Sequence, residues 1–101
     1  MNSIISDKLN ELNKLCATFN VKAMYAFGSV CTDKFYENSD IDFLITFNQM
    51  DYSDYADSYF DLQSKLSELF RRPVDLLTSN SLSNPYFIEK MEQTKQLIYA
   101  A

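Results

Sequence analysis

Glycine occurs once in this 101-residue chain, at position 28. It ends the apolar run VKAMYAF (21–27) and is followed by a serine. Glycine lets the backbone approach a ligand closely and adopt turns that other residues enter only with strain. A chain that otherwise avoids it has concentrated that freedom between a buried strand and a tight turn.

A second feature follows ten residues after the Gly28-Ser29 pair, where DIDFLITF spans 40–47. Alternation puts Ile41, Phe43, Ile45 and Phe47 on one face of a strand and Asp40, Asp42, Leu44 and Thr46 on the other. One face reads as core; the other begins acidic.

Around these strands the pattern is helical. Ile5, Leu9, Leu12, Leu15 or Cys16, and Phe19 predict an amphipathic helix over 3–19, with Ser3 or Ser6 as its cap. Tyr52, Tyr55, Tyr59, Leu62, Leu66 and Leu69 predict another over 52–70, with Arg71 and Arg72 at the negative end of its dipole and Pro73 beyond. The tyrosines read as core or partner surface, and Asp51, Asp54, Asp57 and Asp61 as a solvated face. PVDLLT (73–78) is a third strand. Asn84-Pro85 caps and opens a helix reaching Thr94, and QLIY forms the last strand. The order predicts one α/β (α+β) domain over 1–101, a small mixed β-sheet with helices packed mainly on one face.

The composition narrows the chemistry. With 47% hydrophobic residues the chain can bury one modest core unaided. Cys16 and Cys31 lack CxxC spacing, and the chain has no histidine, which argues against zinc sites, disulfide scaffolds and histidine-based nucleophile triads. A reducing cytoplasm is the expected location. The N-terminal stretch is too mixed in charge for a signal peptide, and no apolar run approaches the ~20 residues of a membrane span. Nine basic against fourteen acidic residues give a net charge of −5, so direct nucleic-acid binding is not expected. Carboxylates, hydroxyls, lysines or a metal must do the work.

Asp40 and Asp42, two apart on a strand, project to one side and repel unless a cation sits between them. Mg²⁺, held by one or two carboxylates plus substrate phosphates, suits that pair. Gly28, the Ser29 hydroxyl and the amides of the turn are placed to meet phosphate oxygens. Asp75 points opposite to Val74 and Leu76, and if its strand neighbours the DID strand, three acids converge. Two-metal nucleotidyl transfer uses such a triad.

FGS, ten residues, DID and a later VDLL resemble the minimal nucleotidyltransferase (MNT) family of the DNA polymerase beta superfamily, from about residue 21 to the last strand. The resemblance implies the polymerase beta-like fold, phosphate binding at Gly28 and Ser29, magnesium at Asp40 and Asp42, and Asp75 as the third catalytic and metal-binding carboxylate. It also implies ATP as substrate and a helical HEPN-type toxin as partner, with this chain the antitoxin that transfers AMP to a toxin tyrosine. Many members carry an arginine and a second glycine in the loop after Gly-Ser. Here the loop reads VCTDKFYENS, and Lys34, its one cation, is the candidate to replace that arginine in part at the nucleotide, as a point charge without the planar fork.

Two other readings stand beside this one. The first is a binding module that keeps the fold, has little or no transfer activity and neutralises its partner by covering it. The second is transfer to a small molecule, although enzymes of that kind usually carry an added helical domain. A domain this small leaves the acceptor to be held by a partner protein or by another subunit of a homo-oligomer.

Overall fold

The computed structural model describes residues 2–101. In chain order it runs α1 (Ser3–Ser6), α2 (Leu9–Thr18), β1 (Val21–Phe27), a 3₁₀ turn at Gly28–Cys31, β2 (Ile41–Phe47), α3 (Tyr52–Phe70), β3 (Val74–Thr78), a second 3₁₀ turn at Ser79–Ser81, α4 (Pro85–Thr94) and β4 (Gln96–Ala100). The strands form one mixed sheet in the order β3-β2-β1-β4. β2 is antiparallel to β1 and parallel to β3, and β4 pairs antiparallel with the other side of β1.

The predicted alternation of β2 sets the layers. Ile41, Phe43 and Ile45 are fully buried against Leu62, Leu66 and Phe70 of α3, together with Ile5, Leu12 and Cys16 from α1 and α2. Leu44, on the acidic face, is buried too, because α4 crosses that side and packs Met91 against Leu44 and Phe27. Three helices therefore cover one face and a single helix covers part of the other. The remainder of that second face, where β2 begins, stays accessible.

β1 serves both layers. Met24 and Ala26 face the main core, and Phe27 faces α4. Val21 also reaches the main core despite its odd spacing, since a register shift between Val21 and Ala23 inserts an extra residue.

The N-terminal helix differs from its prediction over 3–19. It breaks at Asp7–Lys8, where the Lys8 N–H bonds to the Ile5 carbonyl in a tighter turn, and the Ser6 hydroxyl competes for the Ser3 carbonyl at 3.4 Å. The cap is neither predicted serine: the Asn2 Oδ1 accepts from the Ile4 N–H at 2.9 Å. The left-handed backbone is also not confined to Gly28, because Asn20 and Arg71 adopt φ of 62° and 55°. Asn20 is held there by Asn48, whose Nδ2 donates to both its carbonyl and its Oδ1.

Arg71 turns the chain out of α3, and Arg72 then does more than complement the helix dipole. Its Nη1 donates to the carbonyls of Tyr36 and Ser39 at 3.2 and 3.0 Å, and its guanidinium lies 4.6 Å above the Phe35 ring. The loop joining the glycine turn to β2 is thus fastened to the end of α3. α3 also covers the outer edge of β3, where the Gln63 amide donates to the Val74 carbonyl and the Tyr59 hydroxyl to that of Leu76. Edge carbonyls that would otherwise invite another strand are satisfied within the fold.

Arg72→Ala should lower stability by about 1–2 kcal/mol, from two lost hydrogen bonds and a partly exposed cation–π contact. Urea denaturation measures the loss, and limited proteolysis should show new cleavage within 32–40. Lys at this position should recover less than half of the loss, because it lacks the fork that reaches two carbonyls.

Candidate active site

The pairing of β2 with β3 decides which acids meet. In that parallel register Asp42 lies opposite Asp75, between the buried pairs Ile41–Val74 and Phe43–Leu76. Hydrophobic neighbours fix the register, since a slip of one residue would turn those apolar side chains to solvent. Two carboxylates are therefore held side by side by the core beneath them.

Their electrostatics follow from this placement. Partial burial pushes the Asp42 carboxyl up to about 6, and the charge of Asp75, a hydrogen bond to Asp75 and the charge of Asp40 all act in the same direction. Asp75 lies on an edge strand and is exposed. Asp40 precedes β2, is exposed, and reaches the pair through its charge. Among the described residues no group of three or more His, Cys, Asp or Glu is arranged to hold a metal ion. The structure thus brings Asp42 and Asp75 together and leaves Asp40 outside that close pair.

Gly28 completes the corner. Its φ is 75°, and a Cβ at this position would stand 2.6 Å from Asp42 Oδ2. Its N–H donates to Thr94 Oγ1 at 2.9 Å, so this amide, which was expected to face phosphate, is taken by the end of α4. Ser29 is the second residue of the 3₁₀ turn that Gly28 opens, where an amide has no partner within the turn. Its carbonyl accepts from both the N–H and the hydroxyl of Thr32. Lys34 sits exposed in the following loop and lines none of the cavities described below. Cys31 is half-buried, and burial together with the Asp42 charge raises its thiol, which disfavours the thiolate a nucleophile would need.

Two cavities flank Asp42. One, of about 560 Å³, is bounded by Asp42, Asp75, the apolar walls Phe27, Leu77, Leu82 and Phe87, and the polar Ser81–Asn84 segment. The other, of about 430 Å³, adjoins Gly28, Asp42 and α4. Phe87, packed edge-on against Phe27 with centroids 5.9 Å apart, borders both. Both volumes lie in the range of ligand pockets. A third, aromatic groove of about 340 Å³ is formed by Tyr52, Tyr55, Tyr59 and Phe60, and shares Leu77 and Ser81 with the first. Tyr52 is 92% exposed and Phe60 66%, so these rings are surface rather than core.

The α4 residues Phe87, Met91 and Thr94 were not singled out from the sequence, although their spacing of four and three marks one helical face. What the pattern lacks is the knowledge that this face lies over the acids.

The donor set fits magnesium in a limited form. Carboxylate oxygens from adjacent strands suit an ion that takes one or two carboxylates and completes its shell with water and phosphate. The raised Asp42 carboxyl marks a pair short of counter-charge, and the missing Cβ of Gly28 keeps space beside Oδ2.

The family model described as "Polymerase beta, Nucleotidyltransferase" matches residues 10–101. The chain belongs to this nucleotidyltransferase family. A protein of Methanocaldococcus jannaschii assigned as a protein adenylyltransferase is 35% identical over 98 residues, covering 96% of this chain and 95% of the relative. A second from that organism is 33% identical over 81 residues, covering 80% and 78%. Among solved structures, one assigned as a minimal nucleotidyltransferase superposes with a TM-score of 0.72 at 24% identity, covering 95% of each chain. A toxin-antitoxin crystal structure with AMP-PNP gives 0.71 at 22% identity, covering 92% of this chain and 73% of that one. A complex of tri-AMPylated Shewanella oneidensis HEPN toxin with MNT antitoxin gives 0.66 at 19%, covering 96% and 73%. The mixed sheet with helices on its faces is therefore the nucleotidyltransferase fold.

In this nucleotidyltransferase the Asp42 carboxyl holds its proton more tightly in the fold than in the unfolded chain. The stability this supplies is full below the ordinary value of 3.8 and is lost as pH rises through about 6. Asp42→Asn should remove the loss. Without divalent cations at about pH 8, it should be more stable than wild type by ~1–2 kcal/mol once solvent screening is allowed for, with little difference near pH 4. Thermal melts across pH check this. Gly28→Ala should cost about 1 kcal/mol from its positive φ and displace the Asp42 side chain, so nucleotide affinity should fall although the variant still folds cooperatively.

Proposed function

We propose that the protein is a magnesium-dependent protein adenylyltransferase that moves AMP from ATP onto a tyrosine hydroxyl of a helical HEPN-type toxin, and so acts as its cytoplasmic antitoxin. The observation carrying this reading is the Asp42–Asp75 pair beside the Gly28 turn, at the meeting of two ligand-sized cavities. Adenylyltransferase-assigned relatives at 33–35% identity support the reaction class, and the fold is shared with antitoxins solved in complex with HEPN toxins.

Asp42 and Asp75, with Asp40 adding charge at the rim, are the residues that would hold magnesium. Bound there, the ion would neutralise triphosphate charge and polarise the phosphorus under attack. The other roles belong to the chain itself. The glycine turn lets phosphate oxygens approach the backbone, where the Ser29 amide and hydroxyl donate to them. Asp75, the exposed member of the pair, accepts the proton of the incoming hydroxyl. The hydroxyl oxygen then bonds to the α-phosphorus, the bond to the β-phosphate bridging oxygen breaks, and pyrophosphate leaves with those electrons. Apolar walls at Phe27, Leu77 and Phe87 exclude water that would otherwise compete as acceptor.

A protein acceptor is favoured over a small molecule by the aromatic groove that continues from the acidic cavity across Leu77 and Ser81. Exposed Tyr and Phe rings are the residues that anchor protein interfaces.

Two observations favour a non-catalytic alternative, in which the protein neutralises its partner by covering it. The loop after Ser29 holds no arginine, and the Gly28 amide is already bonded to Thr94.

Intact-mass spectrometry of the partner after incubation with this protein, ATP and Mg²⁺ separates the two. The expected result is addition of one or more AMP groups, absent with Asp42→Ala and slowed roughly 10²- to 10⁴-fold with Asp75→Asn. An unmodified partner in a stable complex would overturn transfer and leave the covering role.

A further inference from the structure

The nucleotide brings several negative charges to a chain that is itself acidic, at −5. Where phosphate meets the protein, a cation from the chain is needed beyond any bound metal. The glycine loop does not supply it, since Lys34 borders neither cavity at Asp42.

The remaining basic residues can be followed one by one. Arg72 is engaged by the carbonyls of Tyr36 and Ser39. Lys95 pairs with Glu92 at 2.9 Å and lies over the Tyr25 ring. Lys14 and Lys65 border a separate cavity between α2 and α3. Lys8, Lys22 and Arg71 line none of the cavities described here.

Lys90 differs from all of these. It lies on α4 one turn before Thr94, whose hydroxyl oxygen accepts from the Gly28 N–H, and it lines the 430 Å³ cavity together with Gly28 and Asp42. It forms no ion pair among the described residues. The Thr94 contact fixes α4 against the glycine turn, so Lys90, one turn earlier on the same face, is held at the rim of the cavity that Gly28 and Asp42 share.

We infer that Lys90 is the phosphate-binding cation of this nucleotidyltransferase, reaching the triphosphate from α4 rather than from the loop after Ser29. The inference rests on the nucleotidyl-transfer reading and adds to it the residue that neutralises substrate charge. A lysine on a four-carbon stem suits this task, because it meets phosphate as a point charge and needs no fixed fork geometry.

Calorimetric titration of the wild-type protein with a non-hydrolysable ATP analogue in the presence of Mg²⁺ tests it. Lys90→Ala should weaken the analogue about tenfold and flatten the salt dependence of binding, while leaving adenosine affinity and the melting temperature unchanged. Lys90→Arg should restore affinity to within about threefold, and Lys65→Ala, far from the site, should have no effect. Equal analogue affinity for wild type and Lys90→Ala would overturn this inference alone. No binding by the wild-type protein would overturn the nucleotidyl-transfer reading and this inference together.

Discussion

Two carboxylates are held beside each other at Asp42 and Asp75, and most of the fold can be understood as what keeps them there. Partial burial first, and then the like charges of Asp75 and Asp40, oppose ionisation of Asp42, which holds its proton to about pH 6. The repulsion is overcome by hydrophobic burial at the flanking positions. Ile41 with Val74, and Phe43 with Leu76, lock the register from below, and α3 closes over them with Leu62, Leu66 and Phe70. The acidic pair thus opposes the stability that the core beneath it supplies, and the fold keeps the two carboxylates together at that cost.

The same arrangement explains how much of the protein was legible beforehand. α3 and α4 begin and end where the sequence pattern places them, because long amphipathic periodicity, Asn84-Pro85 and the Arg-Arg-Pro stop are local signals. The strands were readable for a similar reason, since two-residue alternation in β2 is visible without knowing its neighbours. The N-terminal helix was misjudged because its apolar spacing continues through Asp7–Lys8 although its hydrogen bonding does not. Leu44 looked like part of an open acidic face until α4 covered it.

The site divides along the same line. That Asp42 and Asp75 belong together depended on β3 lying beside β2, which the spacing only suggested. The three-dimensional roles of Thr94 and Phe87 were out of reach, because their partners lie in β1 and the turn after it. Arg72 was the least visible. Its position after α3 explains its charge, whereas its contacts with Phe35, Tyr36 and Ser39 depend on where the loop returns. Sequence pattern thus found the carboxylates and missed the polar groups that fasten the turn and loop around them.

The Gly28–Thr94 hydrogen bond has a consequence for how the protein comes into being. Gly28 and Thr94 are separated by 66 positions, and α4 reaches the turn just before β4 pairs with β1. On a chain synthesised from its N-terminus, both acidic strands emerge well before the helix that anchors the glycine turn. Contacts this distant in sequence close late, since the loop entropy must be overcome first. The corner between turn and acids is therefore completed only once α4 has emerged, and a nascent chain would display its carboxylates before the glycine turn is anchored.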